Sequence, residues 1–280
     1  ALNENNGDIE SSIDWLRTKG LAKAAKKSGR IASEGLIVIT SSNDYASILE
    51  VNSETDFVAR NETFQEVARN IGNSSLLSDD IDSLNALNII DKDISVKDYI
   101  TEMIASIGEN INLRRMKRLN ALGENVSSYI HGQVSDGLGK IGVLVSLKSD
   151  LDKDTLDDIG KKIAMHIAAT NPISISVDDI PSDILEREKN ILIEEARESG
   201  KPEEIIEKMI GGRLNKYYQE SVLLEQTFVI DGESKVSEIL NSLDSPIEIT
   251  NFVRFELGEG IEKSNEEDFA SEVDSMISGN

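Results

Sequence analysis

The sequence predicts an α+β fold organised as two lobes, on three observations. The order strand, strand, helix occurs twice, over 35–71 and again over 126–169, and each helix keeps its apolar residues on one face. A pair of charged helices with narrow apolar seams and a compact link follows, the pattern of an antiparallel αα-hairpin. The 280 residues are 39% hydrophobic, enough for one large core or several smaller ones. The two units are not obviously similar in sequence, so the repeat is one of pattern.

From the start, Asn6, Gly7 and Asp8 read as a turn with Asp8 as helix N-cap. The short helix that follows carries Ile9, Ile13 and Leu16 on one face, with Gly20 as its stop and a second helix over about 21–28. From Arg17 to Arg30 no acidic residue occurs, which fits either a solvated basic face or a docking surface. Runs 35–41 and 45–51 read as a β-hairpin turned by Ser42, Asn43 and Asp44. Asn61 is placed to cap a helix whose buried face is Phe64, Val67, Ala68 and Ile71. Thr55, Asp56, Phe57 and Val58 therefore fall in the strand-to-helix turn. Such a turn can present Phe57 and Asp56 outward, or it can bury Phe57, as aromatics usually are; the residues alone leave both open.

A polar stretch over 73–92 reads as loop with a short helical turn. Ser95 and Asp98 resemble a capping box, with Asp in place of the usual Glu or Gln. That helix buries Tyr99, Ile100, Met103, Ile104 and Ile107, and Gly108 ends it. Residues 110–119 read as a strand with Arg114, Arg115, Lys117 and Arg118 mostly solvated. In the second unit, 126–133 and 140–147 form the hairpin, and the helix over 155–169 buries Leu156, Ile159, Ile163 and Ile167. Pro181 suits the first turn of the outgoing helix of the αα-hairpin, which carries Ile184, Leu185, Ile191 and Leu192. Ser199 to Pro202 make the turn, and Ile206, Met209, Ile210, Leu214 and Tyr217 line the return helix. Runs 228–230 and 247–257 read as strands with a helix near 236–243 between them. Ser264 to Glu267 form a capping box that opens a C-terminal helix with Phe269, Val273, Met276 and Ile277 on one face. A helix that short needs a surface to pack on.

Composition excludes several functions. With 52 acidic against 29 basic residues and a net charge of −23, non-specific nucleic-acid binding is disfavoured, since it needs Lys and Arg to replace phosphate counterions. Zero cysteines remove disulfides and thiolate metal sites, and fit a reducing compartment. No run approaches the ~20 apolar residues of a membrane span. No signal or transit peptide is visible, though the chain opens on Ala1 and is compatible with a removed targeting segment.

Chemical motifs are sparse. Gly137 to Gly142 is a literal GxGxxG, but it runs into a strand where a dinucleotide site would open a helix, so it reads as a hairpin loop. No GxxxxGK[ST] occurs, so the chain is not itself expected to be a GTPase. His131 and His166 have no second His or Cys at ligand spacing, and no metal is expected. No GxSxG context supports a nucleophile. His166 stands at the edge of its helix's apolar stripe, the place of a half-buried core histidine. A metal-independent enzyme using carboxylates in the groove between the lobes, or a scaffold using the αα-hairpin, stays open on the residues alone.

The run VNSETDFVARN over 51–61 closely resembles the signature of the elongation factor Ts family, exchange factors of the translational GTPase EF-Tu. NGDIESSIDWLRTKG and AKAAKKSG near the start agree, as do IGENINLRR over 107–115, IGVLVSL, IAMHIAATNP, SGKPEEIIEKMIGGRLNKY and FVRFELGEGIEK, ending at Lys263. Several long blocks in one order are a specific signal. The resemblance implies a non-enzymatic guanine-nucleotide exchange factor without catalytic residues, cofactor or metal, that binds EF-Tu both GDP-loaded and nucleotide-free. It puts Thr55, Asp56, Phe57 and Val58 against the Mg²⁺/phosphate site of EF-Tu, with Phe57 as a wedge and Asp56 near the metal end. The family often has Cys-Gln where this chain has Ser53 and Glu54. His166, in HIAA, becomes a possible partner contact.

The implied partition is a partial N-terminal UBA-like helical domain at 1–30, lacking its first part, a first core lobe at 31–120, and a second lobe at 121–180 plus 220–262. The αα-hairpin at 181–219 is of a dimerisation type, making a homodimer possible, and 263–280 form a C-terminal helical module that contacts EF-Tu. No nucleic acid or membrane is expected. The expected compartment is the cytoplasm, or an organelle matrix or stroma if a transit peptide was removed.

Overall fold

The computed structural model describes residues 1–198 and 203–262. The chain runs α1 (Ile9–Lys27), β1 (Glu34–Ser41), β2 (Tyr45–Ser53), α2 (Asp56–Ala59), α3 (Glu62–Ser75), α4 (Ile81–Ala86), α5 (Val96–Ile107) and β3 (Ile111–Asn120). It continues as β4 (Asn125–His131), β5 (Leu138–Gly139), β6 (Ile141–Lys148), α6 (Lys153–Thr170), α7 (Ser182–Glu198), α8 (Glu203–Ser221), α9 (Val236–Asn241) and β7 (Glu248–Glu256). Helices and antiparallel sheets combine, so the fold is α+β as expected. The expected turn at 199–202 and the helix after Ser264 lie outside the described residues.

One sheet has the order β3-β2-β1-β5 and the other β4-β6-β7, with every pairing antiparallel. β1 and β2 are buried almost without alternation because both of their faces are covered. On one face Leu36, Val38, Leu49 and Val51 meet Phe64, Val67, Ala68 and Ile71 of α3 and Ile100 and Ile104 of α5. On the other, Ile37, Ile39 and Ile48 meet Leu144 of the second sheet, with Val126, Val253 and Phe255 packed around them. Gly142 makes that approach possible: a Cβ there would lie 2.6 Å from Ile37 Cγ2. The last glycine of the GxGxxG run is thus a packing residue between two sheets. The second lobe stacks Leu156, Ile159, Ile163 and Ile167 of α6 on Val143, Val145 and Leu147 of β6. Each large side chain fully buried this way contributes roughly 1.5–3 kcal/mol.

Local signals held at several helix ends. The Asn61 side chain accepts from Thr63 N–H at 2.8 Å, and Ser95 Oγ accepts from Asp98 N–H at 3.1 Å. The Asp98 carboxylate returns to the Ser95 hydroxyl at 2.9 Å instead of its N–H, which is half of a true box. Asp8 caps α1 through Ser11 N–H at 2.7 Å.

Four expectations need correction. Gly20 does not stop α1, which runs unbroken to Lys27; its missing side chain lets α1 seat on α5, where a Cβ would lie 3.3 Å from Ala105 Cβ. Arg114, Arg115 and Arg118 are not solvated but bonded: Arg118 lies 4.0 Å over the Tyr45 ring and bonds Leu76 O at 2.8 Å, while Lys117 alone is exposed. Residues 228–230 form no strand. One bridge, Thr227 to Lys235, closes a turn in which the Asp231 carboxylate accepts from Glu233 and Ser234 N–H groups, and Gly232 takes φ 74°. The helix after Pro181 begins at Ser182, and Pro181 supplies its carbonyl to Leu185 N–H from outside the first turn.

The paired helices are present. Leu192, Ala196 and Ile206 bury their seam, and Arg213 bonds Glu195 across it at 2.5 Å.

Candidate partner-binding corner

The candidate site stands where β2 leaves the first sheet. Thr55 is extended (φ −124°, ψ 155°) and precedes the single turn α2. Four residues cannot hold a helix unaided, so the neighbours hold it. Ser53 Oγ donates to Thr55 O at 2.9 Å, and Asn61 N–H donates to Val58 O at 2.9 Å. Ala59 is buried at 1% exposure, and Val58 is half-buried against the lobe's core. With 59 facing in and 58 at the rim, Phe57 faces out at 79% exposure. The alternative in which Phe57 is a core residue is thereby excluded. Beside it lies a shallow hollow of about 410 Å³ lined by Val58, Asn61, Thr63, Ser106 and Ile107.

Asp56 pairs with Arg60 one turn on at 3.0 Å. Both are open to water, so the pair adds little stability, ~0.3–0.5 kcal/mol for such spacing. Thr55, Asp56, Phe57 and Val58 are thus one contiguous corner.

His166 is elsewhere and does not present its ring. It is fully buried, donating from Nε2 to Gln226 Oε1 at 2.9 Å and accepting Val229 N–H on Nδ1 at 3.2 Å. Burial pushes its pKa below the ordinary value, with the Gln226 bond opposing. It ties α6 to the 226–235 turn, and contact with a partner would require that turn to open.

Two carboxylates were missed by sequence reasoning. Glu50 is fully buried in β2. The register slips between Glu50 and Val51, so β3 spends one extra residue there and both Arg114 and Arg115 reach the same carboxylate. Arg114 Nη1 lies 3.1 Å from Oε2, Arg115 Nε lies 2.6 Å from it, and Asn52 Nδ2 and Gly258 N–H donate to Oε1 at 2.9 and 2.8 Å. Burial raises the Glu50 pKa, but the Asn52, Gly258 and Arg115 bonds outweigh it and hold the carboxyl below its ordinary value. The available signal was an acid inside an apolar strand run, which has to find cations. Glu109 is the second: it accepts from both the N–H and the hydroxyl of Thr55. Its position just after a helix-ending glycine gave no hint of that reach.

The groove between the lobes, about 560 Å³, is lined by Arg69 and Lys161 with one carboxylate, Asp136. That lining does not favour a carboxylate enzyme. Among the described residues no group of three or more His, Asp or Glu could hold a metal ion, and no helix is long and apolar enough to cross a membrane.

Comparison with known proteins gives one consistent match. The family described as "Elongation factor TS" matches residues 54–259. The whole chain is 52% identical to an "Elongation factor Ts" of Allorhizobium ampelinum and 50% identical to one of Parvibaculum lavamentivorans, covering 92% of each. It is 48% identical to that of Rhodospirillum centenum, over 99% of this chain and 91% of the relative.

Proposed function

The chain belongs to the elongation factor Ts family, whose role is in translation elongation, and on that premise we propose that it is a guanine-nucleotide exchange factor for EF-Tu. The observation that carries this reading is Phe57, a large aromatic held 79% exposed on a pinned corner. Leaving such a group in water has no folding benefit, and an exposed aromatic on a rigid support suits insertion into a partner.

The mechanism follows from how a GTPase holds GDP. Its Mg²⁺ demands near-ideal octahedral geometry, and backbone donors cradle the phosphates. Phe57 wedged beside that site displaces the groups that position the ion, with Val58 packing at the rim of the contact. Thr55 sets the direction of the corner, and Asp56 acts near the metal end. Nucleotide and exchange factor then weaken each other's binding by the same free energy, because linkage is reciprocal. The protein binds both GDP-loaded and nucleotide-free EF-Tu, and changes no covalent bond. We assign self-association, where it occurs, to the αα-hairpin, on whose outer side Ile184, Ile191 and Ile205 remain exposed. The module partition at residues 30, 120, 180, 220 and 262 stands as part of this proposal.

The direct test is release of a fluorescent GDP analogue from EF-Tu with and without the protein. Acceleration that saturates with protein concentration is expected. A release rate unchanged at saturating protein would refute the assignment.

A further inference from the structure

A four-residue helix that carries a functional aromatic needs both ends fixed, and the two ends of α2 are fixed differently. Downstream, burial of Ala59 and the Asn61 to Val58 bond anchor it to α3. Upstream, Thr55 occupies the N-cap position but makes no capping bond of its own. Its polar groups turn away from the helix to Glu109, the N–H to Oε2 at 3.0 Å and the hydroxyl to Oε1 at 2.7 Å. Both carboxylate oxygens of one side chain are therefore committed to one residue, through charge-assisted bonds that are stronger and more directional than neutral ones.

The clamp is reciprocated. Glu54, the residue before Thr55, sends Oε1 back to the N–H of Asn110, the residue after Glu109, at 2.6 Å. Gly108 aims Glu109: at φ 89° it turns the chain sharply as α5 ends, a conformation that side chains rarely adopt. Lys27 of α1 donates to the Gly108 carbonyl, and Asn110 Nδ2 donates to Arg30 O at 2.8 Å, so the platform beneath Glu109 is itself tied down. We infer that Glu109 is a positioning residue for Phe57, fixing the direction in which α2 projects its aromatic through a carboxylate clamp on Thr55.

This rests on the exchange reading of Phe57, and it says more than that reading. Exchange requires a wedge that arrives in one direction, and preorganisation of this kind acts on the distorted complex more than on simple encounter. Without the clamp α2 can swivel about Thr55, so the partner still docks on the remaining surface while the wedge arrives misdirected.

The full chain is tested with Glu109→Ala, Glu109→Gln, Thr55→Val and Thr55→Ser. Release of fluorescent GDP from the partner GTPase is measured across protein concentration, beside thermal melts. Glu109→Ala is expected to lower the maximal rate by about tenfold and to change the half-saturating concentration by less than about threefold. Glu109→Gln should recover part of the rate, since its oxygen still accepts one Thr55 bond, and Thr55→Ser should recover what Thr55→Val loses. Combined with Phe57→Ala, Glu109→Ala should add no further loss, because the group it aims is gone. A direct readout does not depend on the partner: Trp15 is the only tryptophan, so in a Trp15→Phe, Phe57→Trp chain the indole at 57 reports its own mobility. Its anisotropy should fall when Glu109→Ala is added. Unchanged anisotropy and an unchanged maximal rate overturn the inference, as does an equal further loss in the Phe57→Ala chain. If Glu109→Ala fails to fold, Thr55→Val and Thr55→Ser decide by the same measures. If Phe57→Ala alone exchanges normally, the wedge reading falls, and the anisotropy still judges the clamp.

Discussion

The two lobes share one plan, apart from the αα-hairpin inserted in the second, and differ at their strand-to-helix corners. In each, a hairpin is followed by a helix on its face and, after α4 in the first lobe and the αα-hairpin in the second, by a turn, a shorter helix and a third strand antiparallel to the second. In each, that third strand carries an extra residue, opposite Glu50/Val51 in one lobe and Ser146/Leu147 in the other. The turns correspond too. Ile89 N–H bonds Ile94 O with Asp91 at φ 62°, and Phe228 N–H bonds Ser234 O with Gly232 at φ 74°. The strand-to-helix corners differ. The second lobe crosses from β6 to α6 in residues 149–152 and tucks Leu151 against its core. The first uses residues 54–61, twice the length, and turns Phe57 to solvent. A helix can therefore be seated on such a hairpin without α2. What the longer corner adds is a projection, and the fold does not account for it.

The contrast breaks most visibly at the aromatic next along the chain. Phe64 is fully buried on α3, among Leu36, Val38 and Ile71. Phe64→Ala should cost about 3–5 kcal/mol, transfer and cavity together, seen as a large drop in denaturant midpoint. A small loss would mean that α3 is not the roof of the first lobe's core.

The lobes should also fail differently in acid. His166, in the second lobe, has its folded pKa pushed below the ordinary 6.5 by burial. The fold favours the neutral ring, so that stability is complete above 6.5 and is lost as pH falls below it. Glu50, in the first, is held under its ordinary 4.5, its bonds to Asn52, Gly258 and Arg115 outweighing burial. Its contribution is complete above 4.5 and is lost only below that. Amide exchange at pH 5.5 should therefore speed up in α6 and the 226–235 turn before it changes in β2 and β3. His166→Gln should remove that early loss, and Glu50→Gln should leave it in place. Simultaneous loosening of both lobes at pH 5.5 would contradict this assignment.

What the sequence made legible was local. The Asn61 cap, the α3 and α6 stripes and the Gly108 stop each need only neighbours within a turn or two, and all are present. The corner was located for the same reason, since a strand and a capped helix bracket it. The rest depends on residues far apart in the chain. Gly20 looked like a helix stop because its reason for being small, Ala105, is distant in sequence. Arg114 and Arg115 looked solvated because only the bulge brings both to Glu50. β5 is two residues long and exists only because β1 offers it an edge. His166 looked like a rim residue because the turn that buries it comes sixty residues later.

The smallest expected change in stability belongs to Phe57→Ala, and it is the sharpest test of the comparison. If the longer corner were needed to seat α3, removing its largest side chain would cost what a core aromatic costs. At 79% exposure Phe57 has little apolar area to lose from the folded state, so stability should stay within about 0.5 kcal/mol. Ala59, Val58 and the Glu109 clamp, which hold the corner, are untouched by the substitution. On the exchange proposal, binding to nucleotide-free EF-Tu should weaken only in part, since the remaining surfaces would still dock. Catalysed GDP release should fall much further on that proposal, because the proposed wedge is gone while the anchors stay. Asp56→Ala should give a milder form of the same split, losing the surface ion pair with Arg60 and the charge that the exchange proposal puts near the metal end. A Phe57→Ala protein that melts like Phe64→Ala would make the corner part of the fold after all. One that melts normally and exchanges at the full rate would leave the longer corner without the role proposed for it.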